Sequence, residues 1–194
     1  MKERRFHASQ AHRLDAPERL VWLPPEEIVA AAGASAGDTI ADIGAGTGYF
    51  ALPLARAAGP QGVVYAVDAQ EEMLDLLKQK LPFTGSGNIR LVQAEADATG
   101  LPDASLSLAL LANVWHEFDD RALVLREARR ILRPGGRIAI VDWRPDVERE
   151  AGPPLEHRLT TELTMRELAS AGFATLSDAH VGAYHWLVLG ESTP

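Results

Sequence analysis

Two hydrophobic rhythms alternate along this chain. Short apolar runs ("DTIADIG", "GVVYAVDA", "NIRLVQAEA", "LSLALLAN" and "RIAIVDW") are separated by segments whose apolar residues return every three or four positions. The first kind predicts buried strands and the second amphipathic helices. "PPEEIVAAAG", from Pro24 to Gly33, reads as a short helix with prolines at its start and acids in its first turn. "YFALPLARAAG" predicts a helix ending at Gly59, and "EEMLDLLKQKL" one with Met73, Leu74, Leu77 and Leu81 on a single face. "DDRALVLREARRIL" carries acids at its start and Arg129 and Arg130 near its end, which suits the helix dipole. "RPGG" then turns the chain into the fifth strand.

Strands that alternate with helices and stay apolar throughout predict a parallel sheet covered on both faces. The end of the chain breaks that rhythm. "TMRELASAGF" predicts a helix, with Thr164 and Glu167 spaced as a capping box. "ATLSDAHVGAYHWLVLGE" then predicts two strands whose short Gly-Ala link permits only antiparallel pairing. The expected fold is α/β: a doubly wound, Rossmann-like, mainly parallel sheet of seven strands with an antiparallel C-terminal hairpin strand. The expected organisation is one domain over residues 1–194, with an arm and helix (1–33) covering the site and a core over 38–194.

Composition narrows the chemistry. With 46% hydrophobic and 24% charged residues over 194 positions, the chain can bury a sizeable core. It has no cysteine, which removes disulfides, thiolate metal sites and cysteine nucleophiles. A net charge of -8 argues against nucleic acid as a partner, because phosphate binding needs a basic footprint. The apolar runs are too short for a membrane span, and "MKERRFHASQAHR" lacks the apolar core of a signal peptide. A soluble, cytoplasmic protein with no membrane partner and no bound metal is the expectation; oligomeric state is not legible.

The candidate chemistry centres on "IADIGAGTGYF". Gly44, Gly46 and Gly48 let backbone amides approach a ligand closely. In doubly wound sheets the ligand lies beyond the carboxyl ends of the strands, where this loop falls. A dinucleotide loop reads G-x-G-x-x-G, its last glycine allowing close helix packing. Here that position is Tyr49, and Asp42 precedes the glycines, where a carboxylate would repel a pyrophosphate. The loop suits a ligand with a positively charged amino-acid portion instead.

Four segments together resemble the class I S-adenosylmethionine-dependent methyltransferases: "ADIGAGTGYF", "VVYAVDAQEEML", "AEADATGLPDAS" and "RILRPGGRIAIVDW", in order across roughly residues 38 to 143. Among these, the chain is nearest to small stand-alone enzymes of the quinone-biosynthesis and arsenite-methylating group. The resemblance implies S-adenosylmethionine as cofactor and methyl transfer to a small-molecule acceptor. Arsenite is disfavoured as acceptor, since that chemistry uses cysteines. The same pocket would also serve a regulatory module that binds the cofactor without turnover, or an aminopropyl-type transferase; a nicotinamide oxidoreductase is disfavoured by Tyr49.

The resemblance also implies roles for single residues. The cofactor-binding set comprises Asp42, Gly44, Ala45, Gly46, Thr47, Gly48, Tyr49, Asp68, Ala69, Met73, Asp97, Ala98 and Asn113. Asp68, ending the second strand, would accept the ribose hydroxyls, or would cap the next helix, or both. Asp97 and the Ala98 amide would meet the adenine, Asp97 being equally a turn former. Asp42 and the Asn113 carbonyl would face the methionine end, unless Asp42 only braces the loop. Met73 would touch the adenine or lie in the core.

In "NVWHEFDD", His116 is the candidate base, since histidine titrates near neutral pH; its alternative is to order the loop. Glu117 would contact substrate or cap the next helix, for which Asp119 and Asp120 are better placed. The irregular stretch "DWRPDVEREAGPPLEHRL" supplies Trp143, Arg144, His157 and Arg158 as further substrate candidates, or is a solvated loop. The basic N-terminal tail, with Phe6, His7, His12 and several arginines, either floats free or folds over the pocket as a lid, its arginines pairing with acids such as Glu117.

Overall fold

The structure, a computed structural model, describes residues 6–148 and 152–193. A 3-10 turn (Ala8–Arg13) opens it, followed by helices α1 (Arg19–Trp22) and α2 (Pro25–Ala31). Strands and helices then alternate: β1 (Thr39–Ile43), α3 (Ala51–Ala58), β2 (Val63–Asp68), α4 (Glu71–Thr84), β3 (Ile89–Gln93) and β4 (Leu106–Ala112). A second 3-10 turn at Trp115–Glu117 leads to α5 (Arg121–Ile131), β5 (Leu132–Trp143) and a third at Leu155–His157. The chain closes with α6 (Thr161–Ser170), β6 (Phe173–Val181) and β7 (His185–Ser192).

The seven strands form one sheet in the order β3-β2-β1-β4-β5-β7-β6. β3, β2, β1, β4 and β5 are parallel, while β7 runs antiparallel to both β5 and β6. Every residue of β4 is buried, as a central strand covered on both faces requires. Alternate side chains feed two cores. Ile40, Val64, Leu108, Leu110 and Val141 pack with α2 and α3, and Ile43, Val67, Leu111, Ile138 and Ile140 pack with α5 and α6. Among the described residues no helix is long and apolar enough to cross a membrane.

The local chemistry explains the helix ends, with two corrections. Asp120 caps α5, its carboxylate accepting the Leu123 N–H at 3.2 Å. The capping box expected at Thr164 is one turn late: Thr160 is the cap, accepting from Leu163 N–H, and Thr164 lies buried inside α6. Glu167, freed from a capping role, pairs with Arg121 of α5 at 2.7 Å. The "RPGG" turn is the second correction. β5 already begins at Leu132, opposite Leu106, and the pairing resumes at Arg137 opposite Leu108, so these residues loop out within the strand. A hydrogen-bonded partner at Leu106 holds Leu132 extended despite the turn chemistry after it.

This topology positions the site. The order of strand addition reverses between β1 and β4: β2 and β3 lie to one side of β1 and β4 and β5 to the other, with β1 and β4 parallel neighbours and Ile43 opposite Leu111. The glycine loop after β1 and the turn after β4 therefore meet at the switch point where doubly wound sheets bind ligands.

Candidate functional site

The glycine loop leaves β1 at Gly44, whose N–H, with that of Ala45, donates to the Val67 carbonyl at 2.8 and 3.0 Å. Gly46 has a φ of 53, in the left-handed region, and an added Cβ there would meet Leu14 of the N-terminal arm at 3.2 Å. Thr47 is buried, and Ala69 half-buried just beyond β2. Asp68 closes the loop from β2: one carboxylate oxygen accepts the Gly46 N–H at 2.8 Å and the other the Gln70 N–H at 2.9 Å. Its bond falls on the N–H of Gln70, which is itself the cap residue of α4, so Asp68 braces the start of that helix and is not its cap.

Two buried oxygens beside this loop have no partner among the described residues: Oδ2 of Asp42 and Oδ1 of Asn113. Buried polar atoms without partners are rare and costly, and here they belong to adjacent strand ends at the switch point. Asn113 also holds a left-handed φ of 60, which a non-glycine residue adopts rarely. Asp42 is 2% exposed, and its carboxyl is pushed up to about 7 by burial and by the nearby charge of Asp68, against the Ala51 N–H and Arg19. A cationic amino group would satisfy both oxygens and let Asp42 ionise. The residues present therefore fit the amino-acid end of S-adenosylmethionine. Asp97 is exposed beyond β3, while the Ala98 amide already donates to the Glu95 carbonyl at 3.2 Å within a tight turn. Met73 is buried at 2% exposure.

Tyr49, standing where a dinucleotide loop has glycine, anchors the N-terminal arm. Its hydroxyl donates to the Leu23 carbonyl at 2.7 Å, and the Arg19 guanidinium lies over its ring at 4.0 Å. The arm itself crosses the strand ends as a strap. Phe6 N–H donates to Glu117 at 3.2 Å. Gln70 grips the strap backbone twice, donating to the Phe6 carbonyl at 2.7 Å and accepting the Ala8 N–H at 3.0 Å. At the far end Asp15 accepts from the Thr47 hydroxyl at 2.8 Å and from Lys80 at 2.7 Å, while Lys80 also donates to the Thr47 carbonyl. His7 and His12 are exposed along it, and Arg4 and Arg5, expected to pair with acids, lie outside the described residues.

The turn after β4 brings His116 against a residue the sequence reading passed over. Asp142, at the end of β5, is fully buried. Its carboxylate accepts the His116 backbone N–H at 2.8 Å and the Trp143 N–H at 2.7 Å. The same oxygens lie 2.8 and 3.0 Å from His116 Nδ1. Burial of His116 works against its charged form, yet the Asp142 charge and hydrogen bond outweigh it and hold the imidazole above its ordinary value. A signal for Asp142 was present in the sequence: a lone acid ending the otherwise apolar run "RIAIVDW".

Three of the other acceptor candidates, Trp143, Arg144 and Arg158, already contact other residues of the chain. Trp143 is instead buried, its ring 4.3 Å from His185 and 5.4 Å from Trp22, so its indole packs within an aromatic cluster. Arg144 pairs with Asp146 at 2.6 Å. Arg158 is buried, donating to the Arg144, Val147 and Pro153 carbonyls and so folding the loop after β5. His157 is half-buried in the turn before it. A cavity of about 520 Å³ lies at the opposite end of the strands, against Gly59, Gly85 and Asn88, and touches none of these groups.

Comparison with known proteins shows the family. A protein family described as a methyltransferase domain matches residues 41–140. The crystal structure of a SAM dependent methyltransferase from Aquifex aeolicus is 31% identical, with a TM-score of 0.91, over 96% of this chain and 99% of that one. A ubiquinone/menaquinone biosynthesis C-methyltransferase from Hahella chejuensis is 37% identical over 112 residues, 57% of this chain and 45% of that protein. One of the same description from Francisella philomiragia is 28% identical over 165 residues, 84% of this chain and 63% of that protein. The chain thus spans about half to under two thirds of the length of these curated relatives.

Proposed function

This chain belongs to the class I S-adenosylmethionine-dependent methyltransferase family, and on that premise we propose that it transfers a methyl group from S-adenosylmethionine to a small-molecule acceptor. The observation that carries the reading is the pair of unpartnered buried oxygens, Asp42 Oδ2 and Asn113 Oδ1, at the junction of β1 and β4. They call for a cationic ligand at the place where the fold binds one.

When bound, the cofactor would supply an electrophilic methyl group, and the chain's own residues supply position and dryness. Asp42 and Asn113 would hold the amino-acid end, Asp68 the ribose, and Asp97 the adenine edge. The strap over residues 6–15, gripped by Gln70, Glu117 and Lys80, keeps water from the reacting atoms. The acceptor enters from the side of His116 and Glu117. Relatives named for quinone biosynthesis make an electron-rich aromatic ring the first acceptor class to try.

Calorimetry with S-adenosylmethionine and S-adenosylhomocysteine is the test, followed by a metabolite screen with methyl-labelled cofactor. Binding of both ligands and label in a small product are expected. Failure of the wild-type chain to bind either ligand would overturn the assignment.

A further inference from the structure

We propose that Asp142 and His116 form a proton-accepting dyad, in which Asp142 is a positioning residue that fixes His116 with Nδ1 protonated and Nε2 free to take a proton from the acceptor. The inference rests on the methyltransferase reading and deepens it, because it names the acceptor's chemistry. A dyad of this kind serves a nucleophile that arrives carrying a proton: a hydroxyl, or a ring carbon activated by one.

The geometry leaves the ring little choice. Asp142 is 0% exposed and its oxygens accept from His116 N, Trp143 N and His116 Nδ1, all within 3.0 Å. A carboxylate can only accept, so Nδ1 must be the protonated nitrogen in the neutral ring. That leaves the lone pair on Nε2, for which the described residues offer no partner. The backbone bonds matter as much as the ring bond. They tie the turn after β4 to the end of β5, so the imidazole is placed by two neighbouring strands of the sheet.

The charges around the ring come from three elements: Asp142 on β5, Glu117 on the same turn, and Arg158 in the loop before α6. The two acids favour the protonated ring and Arg158 opposes it, so an imidazolium formed during transfer is stabilised without a second proton acceptor. In the step itself the acceptor's oxygen or carbon bonds to the methyl carbon as the carbon–sulfur bond breaks. The bonding pair stays on sulfur, which becomes a neutral thioether, and the acceptor's proton moves to Nε2. Asp142 keeps accepting the Nδ1–H throughout, and the proton on Nε2 later leaves to solvent.

The test uses the full chain with S-adenosylhomocysteine bound; calorimetric binding of that ligand separately checks the cofactor reading. Long-range nitrogen NMR should find neutral His116 protonated at Nδ1, with a titration above the ordinary histidine value. Hydroquinone, the acceptor probe, should shift Nε2 while leaving Nδ1 unchanged. Asp142→Asn should bring the titration back toward ordinary histidine. With labelled S-adenosylmethionine it should also slow transfer to hydroquinone about a hundredfold, the range of one general base, while Asp142→Glu recovers part of the rate. A wild-type ring protonated at Nε2 would overturn the dyad without any variant having to fold. So would an Nε2 resonance that hydroquinone leaves unmoved while S-adenosylhomocysteine binds, since the pair would then only brace the two loops.

Discussion

Asp42→Asn separates stability from binding in a single residue. The Asp42 carboxyl is raised from 3.8 to about 7, burial contributing most and Asp68 next. The folded chain therefore holds this proton more tightly than the unfolded chain does. Folding takes up a proton between those two values, so the contribution of Asp42 is most favourable below pH 4 and worsens as pH rises toward 7. Above 7 the penalty is complete. At about 1.4 kcal/mol for each tenfold change in proton affinity, it comes to about 4 kcal/mol. Asparagine keeps the shape and cannot ionise, so Asp42→Asn should be the more stable protein at pH 8 by up to about 4 kcal/mol. The two proteins should converge near pH 4. Urea unfolding of both at pH 4, 6 and 8, without ligand, measures this directly. The same variant should bind S-adenosylmethionine more weakly, because the ligand's amino group loses its charged partner. Parallel stability profiles across that pH range would refute the reasoning, since burial of an ionisable group at this position would then cost nothing.

The remaining expectations concern the ribose, the strap and the loop after β3. Asp68→Ala should weaken both S-adenosylmethionine and S-adenosylhomocysteine by about 1.5–3 kcal/mol, one charge-assisted bond, with unchanged calorimetric affinity as the contrary result. Deleting residues 1–15 should leave cofactor affinity within about tenfold but strongly reduce methyl transfer, because the strap excludes water more than it holds ligand. Hydrogen exchange at Ala8 and Gln10 at random-coil rates in the liganded wild type would count against it. Glu127 accepts from Thr99 and Arg130 and is held down to about 2, chiefly by Arg130. Its contribution is full above pH 4.5 and is lost as pH falls toward 2. Glu127→Gln should therefore lose up to about 3 kcal/mol at pH 7 and only a small fraction of that at pH 2, as read from unfolding curves.

Much of this protein was legible before its structure, and the reason is range. The strands, most helix limits, the hairpin and the exclusion of a dinucleotide loop by Tyr49 all follow from residues a few positions apart. Period, turn chemistry and backbone sterics act over that distance. Even the local errors were local in kind: two threonines one turn apart, Thr160 and Thr164, compete for the cap of α6, and only the packing of Thr164 into the core decides between them. The site divides along the same line. Asp42, Gly46 and Asp68 sit at strand ends that the pattern already marks. Asp142 meets His116 across 26 positions, Glu117 meets Phe6 across 111, and Gln70 grips the strap across more than 60. Trp143 reads as a loop-edge residue in the sequence, and only the fold packs Trp22 and His185 against its ring. Periodicity carries no information about such pairs. They exist because strand order brings β1, β4, β5 and β7 side by side, and burial then leaves each polar group the partner that the fold has placed within reach.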